Sequence, residues 1–444
     1  MKLVNIHKLL FSLILLFGWN SLHSQEAWTL SQCVDTALQY NRNLQISRNN
    51  VAIGRQRQSE ATANLIPKLT FNADYKYFSE LPHQLMPLST FNPAAPEWQF
   101  KEVQFGVPHN INANLLLAMP LYQPQIIGAI KTTQAAGDLT ELQVQKAEED
   151  VIYDVTTLFY NAQILYHQLQ FIDSNLVNTA SLLKNMRLLQ GQLLAKGTDA
   201  DKVELQYQQL STLRENVENK YAMVLNSLKI TMGRPLEMPL NIATEIFFEQ
   251  AGEVPLLHSL DLKIVEAQNK LLKSEKRTID HSRYLPSLSL IASYGTTGFG
   301  YDKKPNDFLD FYQVSFAGVQ LTYPLFNGTV SYRKSRQKFL EIKSNELQHQ
   351  LVADRNAMQT DNARRQRIVA WKNITDLDGQ MHLAQTIYDQ TVLQQKEGVA
   401  SLTDVLLADQ ALMQSQQNYL SAVVDYLKAD LELKKLTGNI SKVK

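Results

Sequence analysis

The stretch Val151-Ile-Tyr-Asp-Val-Thr-Thr-Leu-Phe-Tyr-Asn-Ala-Gln-Ile-Leu165 decides how this chain is read. It lies within Pro124 to Lys196, where proline stands only at the first position and only Gly128 and Gly137 precede Gly191. Apolar residues there fall in two heptad rows, Val151, Leu158, Leu165, Ile172 and Val155, Ala162, Leu169, Leu176, Leu183. Two such rows are the seam of a supercoiled helix. At about 1.5 Å per residue the helix is on the order of 110 Å long, wider than an ordinary globular core. The spacing therefore predicts a rod.

The rest of the composition limits what kind. Of the 444 residues, 44% are hydrophobic and 19% charged, which excludes both a disordered chain and a helical integral membrane protein. Lys+Arg and Asp+Glu balance at 43 each, so nothing points to nucleic acid. No proline stands between Pro124 and Pro235 or after Pro324, leaving two long tracts free to be helical. Residues 1–24 read as a secretion signal: Lys2 and Lys8 precede an apolar run from Leu9 to Phe17, and Ser21 to Ser24 supply a small, polar exit. The alternative, a signal anchor, is disfavoured by an apolar run short of a bilayer span. Cys33 is the only cysteine, so no internal disulfide forms, and its neighbours suggest a buried small side chain on a short helix. It lies well past any cleavage point, which argues against a lipidated N-terminus.

Outside the long tracts the period changes to two. Leu69, Phe71, Ala73, Tyr75 and Tyr77 alternate with Thr70, Asn72, Asp74 and Lys76, giving one apolar and one polar face. A second run, Ile111, Ala113, Leu115, Leu117, Met119 and Leu121, alternates largely with asparagines and stops at Pro120-Leu121-Tyr122. Between them, Ser79 to Pro108 holds Pro82, Pro87, Pro93, Pro96 and Pro108 and reads as loop. The pattern then recurs. Asn64-Leu-Ile-Pro-Lys-Leu-Thr-Phe71 matches Arg283-Tyr-Leu-Pro-Ser-Leu-Ser-Leu290, and Met119-Pro-Leu-Tyr122 matches Tyr323-Pro-Leu-Phe326. Gly197 matches Gly398 at an offset of 201, and Met232-Gly233 matches Thr437-Gly438 at 205. The chain thus divides into a first repeat at 25–235 (strands 67–78 and 109–121, helix 124–196), an equatorial linker at 236–258 and a second repeat at 259–440 (strands 286–295 and 312–325, helix 328–397).

Four strands with an apolar face suit either a small soluble sandwich or a membrane barrel. The helices have seams of their own and leave little to cover the strands. Aromatic residues also flank the apolar bands, Tyr122, Tyr323 and Phe326 at one end and Tyr75, Tyr77, Tyr294, Phe311 and Tyr312 at the other. Four strands cannot close a barrel, and an open edge in lipid strands backbone groups at several kcal/mol each. Copies of the chain must then share one barrel. Two is the minimum, and geometry alone does not choose among two, three and four.

With these features the whole chain after residue 24 resembles the TolC-like outer-membrane efflux proteins. The resemblance rests on the helix at Leu30 to Leu38, the paired Leu-Pro and Pro-Leu strand boundaries, the duplication, and above all Glu397-Gly-Val-Ala-Ser-Leu-Thr-Asp-Val-Leu-Leu-Ala408. It implies a homotrimer in the outer membrane of a Gram-negative bacterium, with four strands per chain in a shared 12-stranded β-barrel above a periplasmic α-helical tunnel. It also implies two partners, a periplasmic adaptor protein and an inner-membrane pump. In the family two turns form the periplasmic tip, where the adaptor docks and the tunnel is gated. That role carries over to Gly398, Ser401 and Asp404 in the second turn and to Gly197, Thr198, Asp199 and Asp201 in the first. The competing role for these aspartates is helix capping. Two positions depart from the pattern: Leu407 stands where a second gate aspartate is usual, and Gln395 where a tyrosine is usual.

Other chemistry finds no support. Gly191-Gln-Leu-Leu-Ala-Lys-Gly-Thr198 has the elements of a phosphate loop in the wrong order and no strand before it. The nine histidines lack metal-ligand spacing, with His167 and His382 placed on helices as surface or packing residues. No nucleophile elbow or His-Glu-x-x-His is present, so neither a catalytic centre nor a cofactor is expected. The rival from a different class is a soluble periplasmic coiled-coil adaptor or structural protein. The exported substrate is left open, with drugs, metal ions and polypeptides all compatible.

Overall fold

The computed structural model describes residues 27–96, 98–248, 252, 255, 259–305 and 307–440. The secretion-signal expectation for 1–24, and part of the linker at 236–258, lie outside them. In chain order the elements are α1 (Leu30–Tyr40), α2 (Arg42–Ala63), β1 (Lys68–Tyr77), β2 (His83–Pro87), β3 (Phe100–Gln104), β4 (His109–Tyr122), α3 (Pro124–Gly191), α4 (Gly197–Thr231), α5 (Leu260–Tyr284), β5 (Ser287–Tyr301), β6 (Phe308–Thr322), α6 (Val330–Lys396) and α7 (Leu402–Leu436). The fold is mainly helical with a smaller β part. Among the described residues no helix is long and apolar enough to cross a membrane.

Two compact units form, and they cut across the sequence repeats. One takes the segment ending at Asn49, Leu142–Lys263 and the segment from Gln350; the other takes Asn50–Glu141 and Ile264–His349. Each therefore draws on both copies. The reason is that elements pair between copies, as β4 with β5.

In the first unit the core gathers around α3. Cys33, Val34, Ala37 and Leu44 from α1 and α2 meet Val151, Val155, Phe159 and Ala162 of α3 and Leu228 of α4. Cys33 is fully buried and its thiol is pushed up to about 12 by burial, as suits a small apolar filler. Further along, Ile164 packs with Ala370 and Ile374 of α6 and Leu420, Val423, Tyr426 and Leu427 of α7. The predicted seam holds at Val151, Val155, Ala162, Ile172 and Leu183, but Leu158, Leu165, Leu169 and Leu176 are only half-buried. Asn175 and Thr179 take the buried places instead. Asn175 Nδ2 donates to Gln416 Oε1 of α7 at 2.9 Å, and the Thr179 hydroxyl donates to the Asn175 carbonyl, so both polar groups are satisfied inside the seam.

The second unit holds a four-stranded antiparallel sheet in the order β1-β4-β5-β6. Its register sorts the side chains. Leu69, Leu117, Ala292 and Ala317 share one row, and Phe71, Leu115, Tyr294 and Ser315 the next. The opposite face carries Asn72, Asn114 and Gly295, then Asp74, Asn112 and Thr297. There Asn112 Nδ2 donates to Asp74 Oδ2 at 3.3 Å and Asn114 Nδ2 to Ser293 Oγ at 3.3 Å. The period-two pattern of single strands thus becomes one apolar face and one mainly polar face across the sheet.

Three expectations are corrected here. The strands of the second repeat are Ser287–Tyr301 and Phe308–Thr322, not 286–295 and 312–325. The strand continues past Gly295, which sits where a Cβ would come within 2.4 Å of the Ala113 carbonyl oxygen on β4. Tyr294 accordingly lies in mid-strand opposite Leu115, away from any aromatic border. The proline-rich segment is not all loop, because β2 and β3 pair from His83↔Gln104 to Pro87↔Phe100. Pro87 is tolerated there because β2 pairs only with β3 and is an edge strand.

Candidate functional site at the two helical turns

Both turns lie in the first unit, and both are built by the same backbone device. After α3, five residues from Gln192 to Lys196 lead into α4; after α6, five residues from Glu397 to Ser401 lead into α7. In the second turn the Gly398 N–H donates to the Gln395 carbonyl at 3.1 Å and the Val399 N–H to the Gln394 carbonyl at 2.9 Å. In the first, the Leu193 N–H donates to Gln190 at 3.0 Å and the Leu194 N–H to Leu189 at 2.8 Å. These paired bonds satisfy the last carbonyls of each long helix and require one residue in the left-handed region. That residue is Gly398 at φ 77° in the second turn and Leu193 at φ 60° in the first.

The counterpart of Gly398 is therefore Leu193, not Gly197. Its offset, 205, equals that of Met232-Gly233 with Thr437-Gly438 and that of the α4 and α7 boundaries. Gly197 instead opens α4, in a place where glycine has no special backbone duty. Sequence comparison went to the glycine because a leucine in a left-handed position has no sequence signature.

Under this alignment Asp199 and Asp404 stand at the same place, the third residue of their helices. Asp404 completes a capping box: its Oδ2 accepts from the Ser401 N–H at 2.8 Å and from the Ser401 hydroxyl at 2.6 Å. The Ser401 side-chain bond first, then the Ser401 backbone bond, hold its carboxyl below the usual range, so it is ionised at neutral pH. Asp199 has Lys196 at the capping position, which offers no side-chain cap, and pairs instead with Lys202 Nζ at 3.5 Å. Thr198, Asp201 and Leu407 are exposed, the last at 61%. Capping accounts for the geometry of Asp404 while leaving the residue exposed to solvent.

The turns pack against one another. Leu402 and Leu406 of α7 lie against Leu183 and Met186 of α3 and Ala200 and Val203 of α4. Val405, Ala408 and Leu412 pack with Tyr388 of α6, joined by Leu182 and Val392. Sequence reading missed the polar member of this seam. Asp409 of α7 is 4% exposed, and its Oδ2 accepts from Gln206 Nε2 of α4. The signal was available: Asp409, Gln416, Val423 and Asp430 form a heptad row of their own, beside the apolar rows Leu412, Tyr419, Tyr426, Leu433 and Met413, Leu420, Leu427 of α7.

No protein-family model matches the chain. It is 22% identical over 344 residues to the alkaline protease secretion protein AprF of Pseudomonas aeruginosa, covering 73% of this chain and 69% of that one. Among solved structures it is similar to the CmeC outer membrane channel of Campylobacter jejuni, with a TM-score of 0.75 at 15% identity over 92% of this chain and 85% of CmeC. The outer membrane protein VceC of Vibrio cholerae gives 0.72 at 13% identity over 92% and 96%. At those TM-scores and over that share of the chain, the protein has the fold of the TolC-like outer-membrane channels.

Proposed function

We propose that this protein is the outer-membrane channel of a tripartite efflux or secretion system, passing substrates across periplasm and outer membrane. The single observation that carries the reading is the sheet. β1 and β6 form its two edges with no partner strand among the described residues, and large apolar side chains on them stand open: Leu69 and Phe71 at 66% each, Val319 at 61% and Leu321 at 66%. An exposed apolar face with two free edges aggregates in water and is unsatisfied in lipid. Joining the β1 edge of one copy to the β6 edge of the next removes both defects. Three copies give 12 strands, within the range of known membrane barrels.

On this reading α3, α4, α6 and α7 supply the periplasmic tunnel wall, and the turns at 192–196 and 397–401 meet a periplasmic adaptor that couples to an inner-membrane pump. Gly398, Ser401 and Asp404, with Thr198, Asp199 and Asp201, line the tip, and Asp404 contributes fixed negative charge at its mouth. Gly197 lies beside them at the start of α4. The protein is a passive duct without catalysis, and the similarity to a protease secretion protein favours a polypeptide or mixed cargo over a drug-only pump. Cell fractionation tests the proposal against the soluble-adaptor alternative. The protein is expected in the outer membrane and to need detergent for release. Recovery in the periplasmic fraction without detergent would sink the channel.

A further inference from the structure

Asp409 takes no part in the turns, yet it is the most enclosed carboxyl near them. Gln206 of α4 supplies its one hydrogen bond, through Oδ2, while Oδ1 is fully enclosed and has no partner among the described residues. Tyr388 of α6, 7% exposed, faces it; the phenol is pushed up to about 12, first by burial and then by the carboxylates of Asp409 and Asp389. α3 contributes Leu182 to the surrounding apolar cluster, with Val405, Ala408 and Leu412 on the carboxyl's own helix. Among the described residues no cation acts on the group: burial and the Gln206 amide are the influences on it.

A carboxylate so placed has neither countercharge nor solvent, and one of its oxygens is unsatisfied. The neutral acid is far cheaper to enclose. We propose that Asp409 is a proton-binding site that locks the helix seam behind the turns, holding α4, α6 and α7 packed when protonated and loosening them when ionised. The consequence for gating rests on the channel reading; the titration of the seam does not.

Burial raises the Asp409 carboxyl from its ordinary value near 3.8 to about 6, against the lowering effect of Gln206. Between those values the packed seam holds a proton that an opened, hydrated seam releases. The packed state is therefore favoured in acid and loses that advantage as pH rises to about 6, with no further change above. A shift of this size makes seam opening about tenfold more frequent at pH 7.5 than at pH 5. Acid would hold the turn end shut, and neutral pH would ease its opening.

Hydrogen exchange on the full-length, detergent-solubilised protein tests this, followed in peptides spanning 200–212, 384–392 and 402–412 and corrected for the intrinsic pH dependence of exchange. Wild-type protection is expected to fall about tenfold from pH 5 to pH 7.5, and Asp409→Asn to abolish the dependence. A pH-independent wild type, or a variant that keeps the dependence, overturns the proposal. Should Asp409→Asn fail to assemble, infrared titration of the wild type and Gln206→Leu decides. A protonated-carboxyl stretch must disappear with a midpoint near pH 6, and that midpoint must move upward once the Gln206 amide is gone. No such band, or a midpoint indifferent to Gln206→Leu, overturns it equally. Fractionation to the outer membrane is a separate readout, so failure of the channel reading and failure of the proton lock are distinguishable.

Discussion

Leu193 is held in a backbone conformation that suits glycine, with its side chain 93% exposed. A β-carbon in the left-handed region costs roughly 1–2 kcal/mol, and an exposed leucine recovers none of it by packing. Leu193→Gly is therefore expected to stabilise the first turn by about 1 kcal/mol, less the extra chain entropy that glycine loses on folding. Slower hydrogen exchange at 189–196 would show it; faster exchange would mean that the leucine is held by contacts it does not make in this chain alone. The pair also shows what sequence could reveal at this scale. Ser401 and Asp404 were legible because a capping box needs particular side chains at a fixed spacing. Leu193 was not, since its role is a dihedral angle. Asp409 was hidden for another reason: an aspartate four residues after Val405 reads as solvent-facing unless every heptad row of the helix is followed.

At the level of elements, long helices and strands follow from periodicity, and their ends were less legible. β1 and β4 were bounded nearly to the residue by Pro67 and Pro120-Leu121-Tyr122, where proline and the change of period coincide. β5 runs six residues past its expected end, and Gly295 within it serves the close approach of β4 instead of a turn. Gly295→Val tests that explanation. With its Cβ directed at the Ala113 carbonyl, the larger residue forces β4 and β5 apart and should destabilise the sheet by about 1–3 kcal/mol. A thermal melt of the solubilised protein matching wild type would contradict the close approach. The heptad seams succeeded for a related reason: Val151, Val155, Ala162 and Leu412 report helix geometry wherever they fall, whereas Asn175 and Gln416 are buried only because they find each other.

For the whole molecule, the decisive property is that one chain does not complete its own sheet. The duplication visible in the sequence supplies two hairpins, their register aligns one apolar face, and the chain then ends its pairing with two open edges. Helical bundles tolerate such an ending in water; an apolar sheet does not. The number of copies could not be read from four strands, because any count from two upward closes the edges, and three enters only through the resemblance to the TolC-like family. Native mass spectrometry of the protein released from detergent micelles tests this most directly. A single species of three chains is expected, while a monomer that stays folded on release would contradict a barrel shared between copies.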